Sequence, residues 1–351
     1  MKLKVPGRPA PSGGAKAKPP RLSSPSLWKA VDAHVSRILH DDRQIVVGPW
    51  LSELGFEVLY WIPFVSWLQV RFGIPPERMV AVSRGGVGSW YEPVTPHYRE
   101  LLDVFTPEEF REHTEGRWAE AGGQKQMVYG PYDHAALQRV GLDVPESGET
   151  VLHPWLMYRL FREFWRERAA INEVLERLDF RRMPPIAWPE LEGRLPQGPY
   201  FAVKFYARPS FPDSIENREV VRRTIEGLAE RAPVVLLDTG LRIDDHREFA
   251  SRPASTRHEV VALLDGVAPE RNLEAQSLAI SRASAFFGTY GGFSYLAPAY
   301  GVPSFAYYSA PDHFLRPHLD VARRAARRLD SSFTIVDARQ SPLLQTLGLA
   351  A

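Results

Sequence analysis

The stretch from Asn272 to Ser309 constrains the fold more than any other part of the chain. Leu273, Ser277, Leu278 and Ile280 recur near the helical period, which predicts a short amphipathic helix over 273–282. Ala285 to Gly288 is a short apolar run fit for a buried strand. Thr289 to Phe293 is a turn with two adjacent glycines, Ser294 to Tyr300 a second helix closed by Gly301 and Pro303, and Ser304 to Tyr308 the next strand. This order of helix, strand, glycine turn, helix and strand is that of a parallel sheet covered by helices.

The rest of the chain repeats the alternation. Strands are expected at 44–47, 79–83 and 126–129 in the first half, with helices at 27–39, 53–68 and 154–178 and a kink or new start at Pro63. In the second half, strands are expected at 200–206, 233–237, 260–264 and 333–336, and helices at 217–231 and 311–329. The Pro-rich segment 183–197 is the expected boundary. The reading is therefore an α/β chain of two Rossmann-like domains facing across a cleft, residues 27–190 and 191–351, preceded by a basic tail over 1–26. A chain of 351 residues is long enough for both.

Composition narrows the function. Lys and Arg number 43 against 42 Asp and Glu, so no global charge recruits nucleic acid. Cysteine is absent, which removes disulfides, thiolate chemistry and Cys-ligated zinc. No apolar run approaches the length of a membrane span, and no signal-peptide core follows Met1. A cytoplasmic location is expected. The tail carries Lys2, Lys4, Arg8, Lys16, Lys18 and Arg21 and no acid; it reads as disordered, either a solubilising segment or a weak grip on anionic lipid.

The chemistry is expected where strands end. After Gly288, the glycines Gly291 and Gly292 leave a ligand unobstructed, and the following helix N-terminus suits an anion such as phosphate. A tight turn with a Ser cap reads equally well. Gly48 to Glu57 follows the first strand; Glu53, beside Gly48 and Gly55, is a candidate general base for an acceptor hydroxyl, whereas Glu57 suits the helix dipole. Trp50 could stack on a sugar, and Arg84, Gly85 and Gly86 form a flexible loop that could close on an acceptor. Lys204 and Arg208 leave another strand, and Arg208 could clamp a diphosphate with two parallel hydrogen bonds. Asp238 and Thr239 lie at a strand end, with Arg242 beyond; Asp244, Asp245 and His246 are a weak metal signal, and a solvated loop is the better reading. Asn272 and Glu274, ahead of Gln276, begin a helix at the cleft edge and could meet a base or ribose. No P-loop, nucleophile triad or metalloprotease helix is present.

Residues 200–310 resemble the donor domain of GT-B glycosyltransferases, most nearly the fucosyltransferase-like branch. The likeness lies in Val203 to Arg208, V-K-F-Y-A-R, followed by the helix, strand and small-residue turn of Asn272 to Ser294. Phe205 and Tyr206 stand where that branch usually has a His-containing H-x-R motif. The resemblance implies that Arg208 grips a donor pyrophosphate and that Thr289, Tyr290, Gly291, Gly292, Phe293 and Ser294 form the phosphate-facing turn. It implies a nucleotide-sugar co-substrate with no other cofactor and no metal, and a glycan or lipid-linked acceptor. A sugar-nucleotide epimerase or hydrolase, and a non-catalytic nucleotide- or glycan-binding protein, remain open alternatives.

Overall fold

The structure is a computed structural model that describes residues 25–40, 42–241, 247–249, 255–263 and 266–340. The basic tail up to residue 24, and Arg242, Asp244, Asp245 and His246, lie outside the described residues. The first half holds β1 (Ile45–Val47), β2 (Met79–Ser83), β3 (Tyr98–Glu100) and β4 (Val151–Leu152), all parallel, in the order β3-β2-β1-β4. The second holds β5 (Phe201–Lys204), β6 (Tyr206–Ala207), β7 (Val234–Leu236), β8 (Arg247–Glu248), β9 (Val260–Ala262), β10 (Ala285–Thr289), β11 (Ser304–Tyr308) and β12 (Phe333–Asp337). Six of these form a parallel sheet, β12-β11-β10-β5-β7-β9, while β6 and β8 pair as a short antiparallel ribbon. The expectation of two parallel α/β units facing a common cleft holds.

The central strands are continuous apolar runs because helices cover both faces. All five residues of β10, Ala-Phe-Phe-Gly-Thr, are buried, as are all five of β2. One hydrophobic cluster runs through both halves, from Trp50, Trp61 and Phe161 to Leu278, Phe286 and Val321. The helix Arg316–Arg328 contributes to that continuity by packing on the helices Trp155–Trp165 and Ile171–Leu175 of the first half.

Several elements depart from the sequence reading. The expected helix over 53–68 is an α-turn, Leu54–Phe56, a π-helical turn, Glu57–Trp61, and an α-helix, Ile62–Phe72. The wide turn places Pro63 near the start of the last segment, where its missing N–H costs little. The expected helix over 154–178 breaks after Trp165, with Glu167 in the left-handed region. The expected strand at 126–129 is not one. Gln126 is buried and spends its side chain on Leu51 N (3.0 Å), Pro49 O (2.9 Å) and Asp133 (2.8 Å), so it anchors a loop rather than extending a sheet. No described helix is long and apolar enough to cross a membrane.

Candidate active site

Parallel strands deliver the loops at their carboxyl ends to one side of each sheet, and here the two sets of loops meet. Residues following β1, β2, β5, β7 and β10 line a cavity of about 240 Å³ between the halves. The structure brings Glu53, Gly55, Arg84, Gly85, Lys204, Arg208, Thr239, Asn272, Tyr290, Gly291, Gly292 and Phe293 to its wall. Gly48, Trp50, Gly86, Asp238, Glu274, Thr289 and Ser294 are not on that wall.

Arg208 is the centre of the second-half side. Its Nη1 donates to the Tyr290 carbonyl at 3.0 Å, which draws the guanidinium across the β10 turn. A β-carbon on Gly291 would lie 2.2 Å from that Nη1 and 2.5 Å from the Tyr206 hydroxyl, so only glycine lets the guanidinium settle there. Arg208 forms no ion pair among the described residues, and its buried Nε has no acceptor. Burial works against its charge, but Tyr206, Tyr295, Glu53 and Tyr290 more than offset this and hold its pKa above the ordinary arginine value. The guanidinium is thus a fully charged donor with hydrogen-bonding capacity left over.

The turn beside it is partly spent. Ser294 Oγ accepts from Gly291 N (3.0 Å) and donates to Gly291 O (2.7 Å), closing the turn from inside rather than facing a ligand. Thr289 is likewise internal, bonding both the N and O of Tyr206. Gly292 meets Gly55 of the first half so closely that a β-carbon on Gly292 would sit 3.1 Å from Gly55 N and 2.6 Å from Leu54 Cδ2. The glycine pair therefore serves close approach of the two halves as well as exposure of the helix Gly292–Ala299 to the cavity.

Lys204 does not stand free. Its ammonium donates to Leu237 O at 2.7 Å and is ion-paired with Glu248, a carboxylate that also accepts from Thr239 N and Gly240 N. The pairing partner comes from β8, and nothing local to Lys204 signals it. Asp238 is not on the cavity wall, and neither is Glu274, which pairs with Arg271 at 2.7 Å. Asn272 does, with its Oδ1 accepting from Gln276 at 2.6 Å.

On the first-half side, Glu53 caps the α-turn through its carbonyl, which accepts from Phe56 N and Glu57 N. Its carboxylate makes no capping bond and remains on the cavity wall. Glu57 is the opposite case. Fully buried, it accepts from Ser83 Oγ (2.6 Å), Tyr91 OH (2.8 Å) and Arg84 Nη1 (3.5 Å), and burial pushes its carboxyl upward. Arg84 in turn donates to Ser52 O at 3.0 Å. Arg84 reaches the cavity wall, and its guanidinium also ties the loop after β1 to the loop after β2. Glu57→Gln should leave Arg84 without its charge partner and lower stability by about 1–3 kcal/mol, measured by urea unfolding.

Packing accounts for three further candidate positions. Trp50 is buried between Trp61 and Tyr158, stacked at 6.0 and 6.2 Å, and offers no face to a sugar. Gly48 abuts the Val82 carbonyl. Gly85 and Gly86 donate to the Glu100 carboxylate at 2.8 and 2.7 Å, and Gly85 O accepts from Leu273 N and Glu274 N, which makes this loop a fixed strut against the second half.

Tyr60, Lys125 and His318 also line the cavity, and no local motif marks them as neighbours. His318 is buried with its Nδ1 2.8 Å from Tyr60 OH, and it is pushed down to about 3 by burial, with the charges of Lys125 and Arg208 adding. A histidine whose pKa is lower folded than unfolded stabilises above its unfolded pKa of about 6.5 and loses that contribution as pH falls toward 3. Stability should therefore drop below pH 6.5 by up to about 1.4 kcal/mol per pH unit from this group. Comparing urea midpoints from pH 7.5 to 4.5 in the wild type and His318→Gln checks it: the variant should show the shallower decline.

No protein-family model matches the chain, and no curated protein does. Distant likenesses appear among solved structures. A family 9 glycosyl transferase from Veillonella parvula is 11% identical, with 88% of this chain and 90% of that one covered and a TM-score of 0.46. The Escherichia coli heptosyltransferase WaaC, solved with ADP-2-deoxy-2-fluoro heptose, is 15% identical over 88% and 100% of the chains, with a TM-score of 0.42. The glycosyltransferase SnogD from Streptomyces nogalater is 14% identical over 88% and 90%, with a TM-score of 0.39.

Proposed function

We propose that the chain is a metal-independent glycosyltransferase that moves a sugar from a nucleotide-diphosphate donor to a hydroxyl of a glycan or lipid-linked acceptor, in bacterial surface polysaccharide synthesis. The observation that carries this is Arg208, a charged guanidinium without a carboxylate ion pair among the described residues, lying over the Gly291–Gly292 turn in the same cavity as the Glu53 carboxylate. In the reaction, Glu53 takes the proton from the acceptor hydroxyl as its oxygen bonds to the sugar's anomeric carbon. The bond from that carbon to the diphosphate breaks, and the electron pair leaves with the phosphate oxygen. Arg208 and the N-terminal turn of the helix Gly292–Ala299 stabilise the charge that develops there.

The donor branch belongs to the same proposal. A fucosyltransferase-like arrangement is supported by the delivery of Arg208 from the loop after β5, while Lys204, held by Glu248, takes a supporting part. The basic tail would bring the protein to an anionic membrane face. The decisive experiment is a thermal-shift screen against nucleoside diphosphates. A nucleotide at about 100 times its dissociation constant should add about 2.7 kcal/mol of stability, and the strongest shift names the donor's base. No shift with any nucleoside diphosphate would overturn the reading.

A further inference from the structure

Among the described residues, four cationic side chains line the cavity: Arg84, Lys125, Lys204 and Arg208. Arg84 is consumed by Glu57 and Lys204 by Glu248, and Arg208 is the charge assigned to the donor. Lys125 is left. Its ammonium lies 5.2 Å from the Phe56 ring centroid and 5.0 Å from that of Trp165, and among the described residues it forms neither an ion pair nor a hydrogen bond.

Its position is fixed from both sides. Ser52 Oγ donates to Gln124 O at 3.1 Å, and Leu51 N donates to Gln126 Oε1 at 3.0 Å, so the backbone carrying Lys125 is fastened to the loop carrying Glu53. The rings flank the ammonium at the cavity wall, while the residue as a whole stays open to solvent. Partial desolvation there draws its pKa below the usual lysine value, Glu53 opposes the shift, and Arg166 adds to it. A cation held at the cavity wall beside aromatic faces, with no anionic partner among the described residues, is available to an anion entering the cavity.

We infer that Lys125 is a specificity-determining residue that anchors an acidic group, a carboxylate or a phosphate, on the acceptor sugar, so that a hydroxyl of the same sugar meets Glu53. The inference rests on the glycosyltransferase reading and deepens it: the acceptor is an acidic sugar.

The test uses the full chain saturated with the nucleoside diphosphate that gives the largest thermal shift, so that Arg208 is occupied. Glucuronic acid, glucose 1-phosphate and glucose are then titrated against the wild type, Lys125→Met and Lys125→Arg, with Trp165 fluorescence and saturation-transfer NMR as readouts. At least one acid should bind the wild type about tenfold or more tightly than glucose. Lys125→Met should lose that preference and Lys125→Arg keep it, with diphosphate affinity unchanged in both. Equal binding of acids and glucose, no binding of either acid, or full retention of the preference in Lys125→Met would overturn the assignment. So would a loss of diphosphate affinity in Lys125→Met, which would place Lys125 on the donor. Failure of the nucleotide screen defeats the transferase reading itself, whereas a nucleotide shift without acid preference defeats only the role of Lys125.

Discussion

Arg208→Ala should lower kcat/KM by about 10²- to 10³-fold, the loss expected when one preorganised donor is taken from a developing oxyanion. Among the described residues the guanidinium contributes a single hydrogen bond to the fold, to Tyr290 O at 3.0 Å. Global stability should therefore change by only about 1 kcal/mol. Arg208→Lys restores the charge but not the planar fork, and it should recover part of the activity at most. The nucleoside diphosphate shift should shrink in parallel with turnover. Steady-state kinetics with circular dichroism on the same preparations separates a chemical loss from a folding loss. Undiminished turnover in a folded Arg208→Ala protein would remove the central cation from the mechanism.

Glu53→Ala should lower kcat by about 10²- to 10⁴-fold, the usual contribution of a positioned base. Nucleoside diphosphate binding should not weaken, because removing a carboxylate that acts on Arg208 takes away no group that holds the diphosphate. The side chain makes no capping bond, so the helix start should survive its removal. Added formate should restore part of the rate by supplying a carboxylate to the vacated space. An unaffected kcat would mean that transfer proceeds with retention and without an enzymic base, Glu53 then serving only to orient the acceptor.

Glu53 was legible as a candidate because it lies between Gly48 and Gly55 after a strand, and Arg208 because it leaves the strand that carries Lys204. The neighbours that decide their chemistry were not. Lys204 looked as available as Arg208, since the two leave the same stretch of chain. What separates them is Glu248, 44 residues on, whose carboxylate neutralises one and does not reach the other. Arg84 looked like an acceptor contact, but its partner Glu57 is 27 residues back, in a helix whose π-turn the hydrophobic pattern does not reveal. Trp50 had the position of a stacking platform until Trp61 and Tyr158 closed over it. His318 and Lys125 carry no local motif, because their roles arise only where Tyr60, Phe56 and Trp165 meet them.

By itself the sequence determined the α/β alternation, the all-apolar strands and the glycine turn after β10. These follow from period, residue size and backbone freedom, which are local properties. Tertiary structure alone decided which charges remain available for chemistry. A side chain's charge is usable only if no buried partner claims it, and here those partners come from distant strands and from the other half of the molecule.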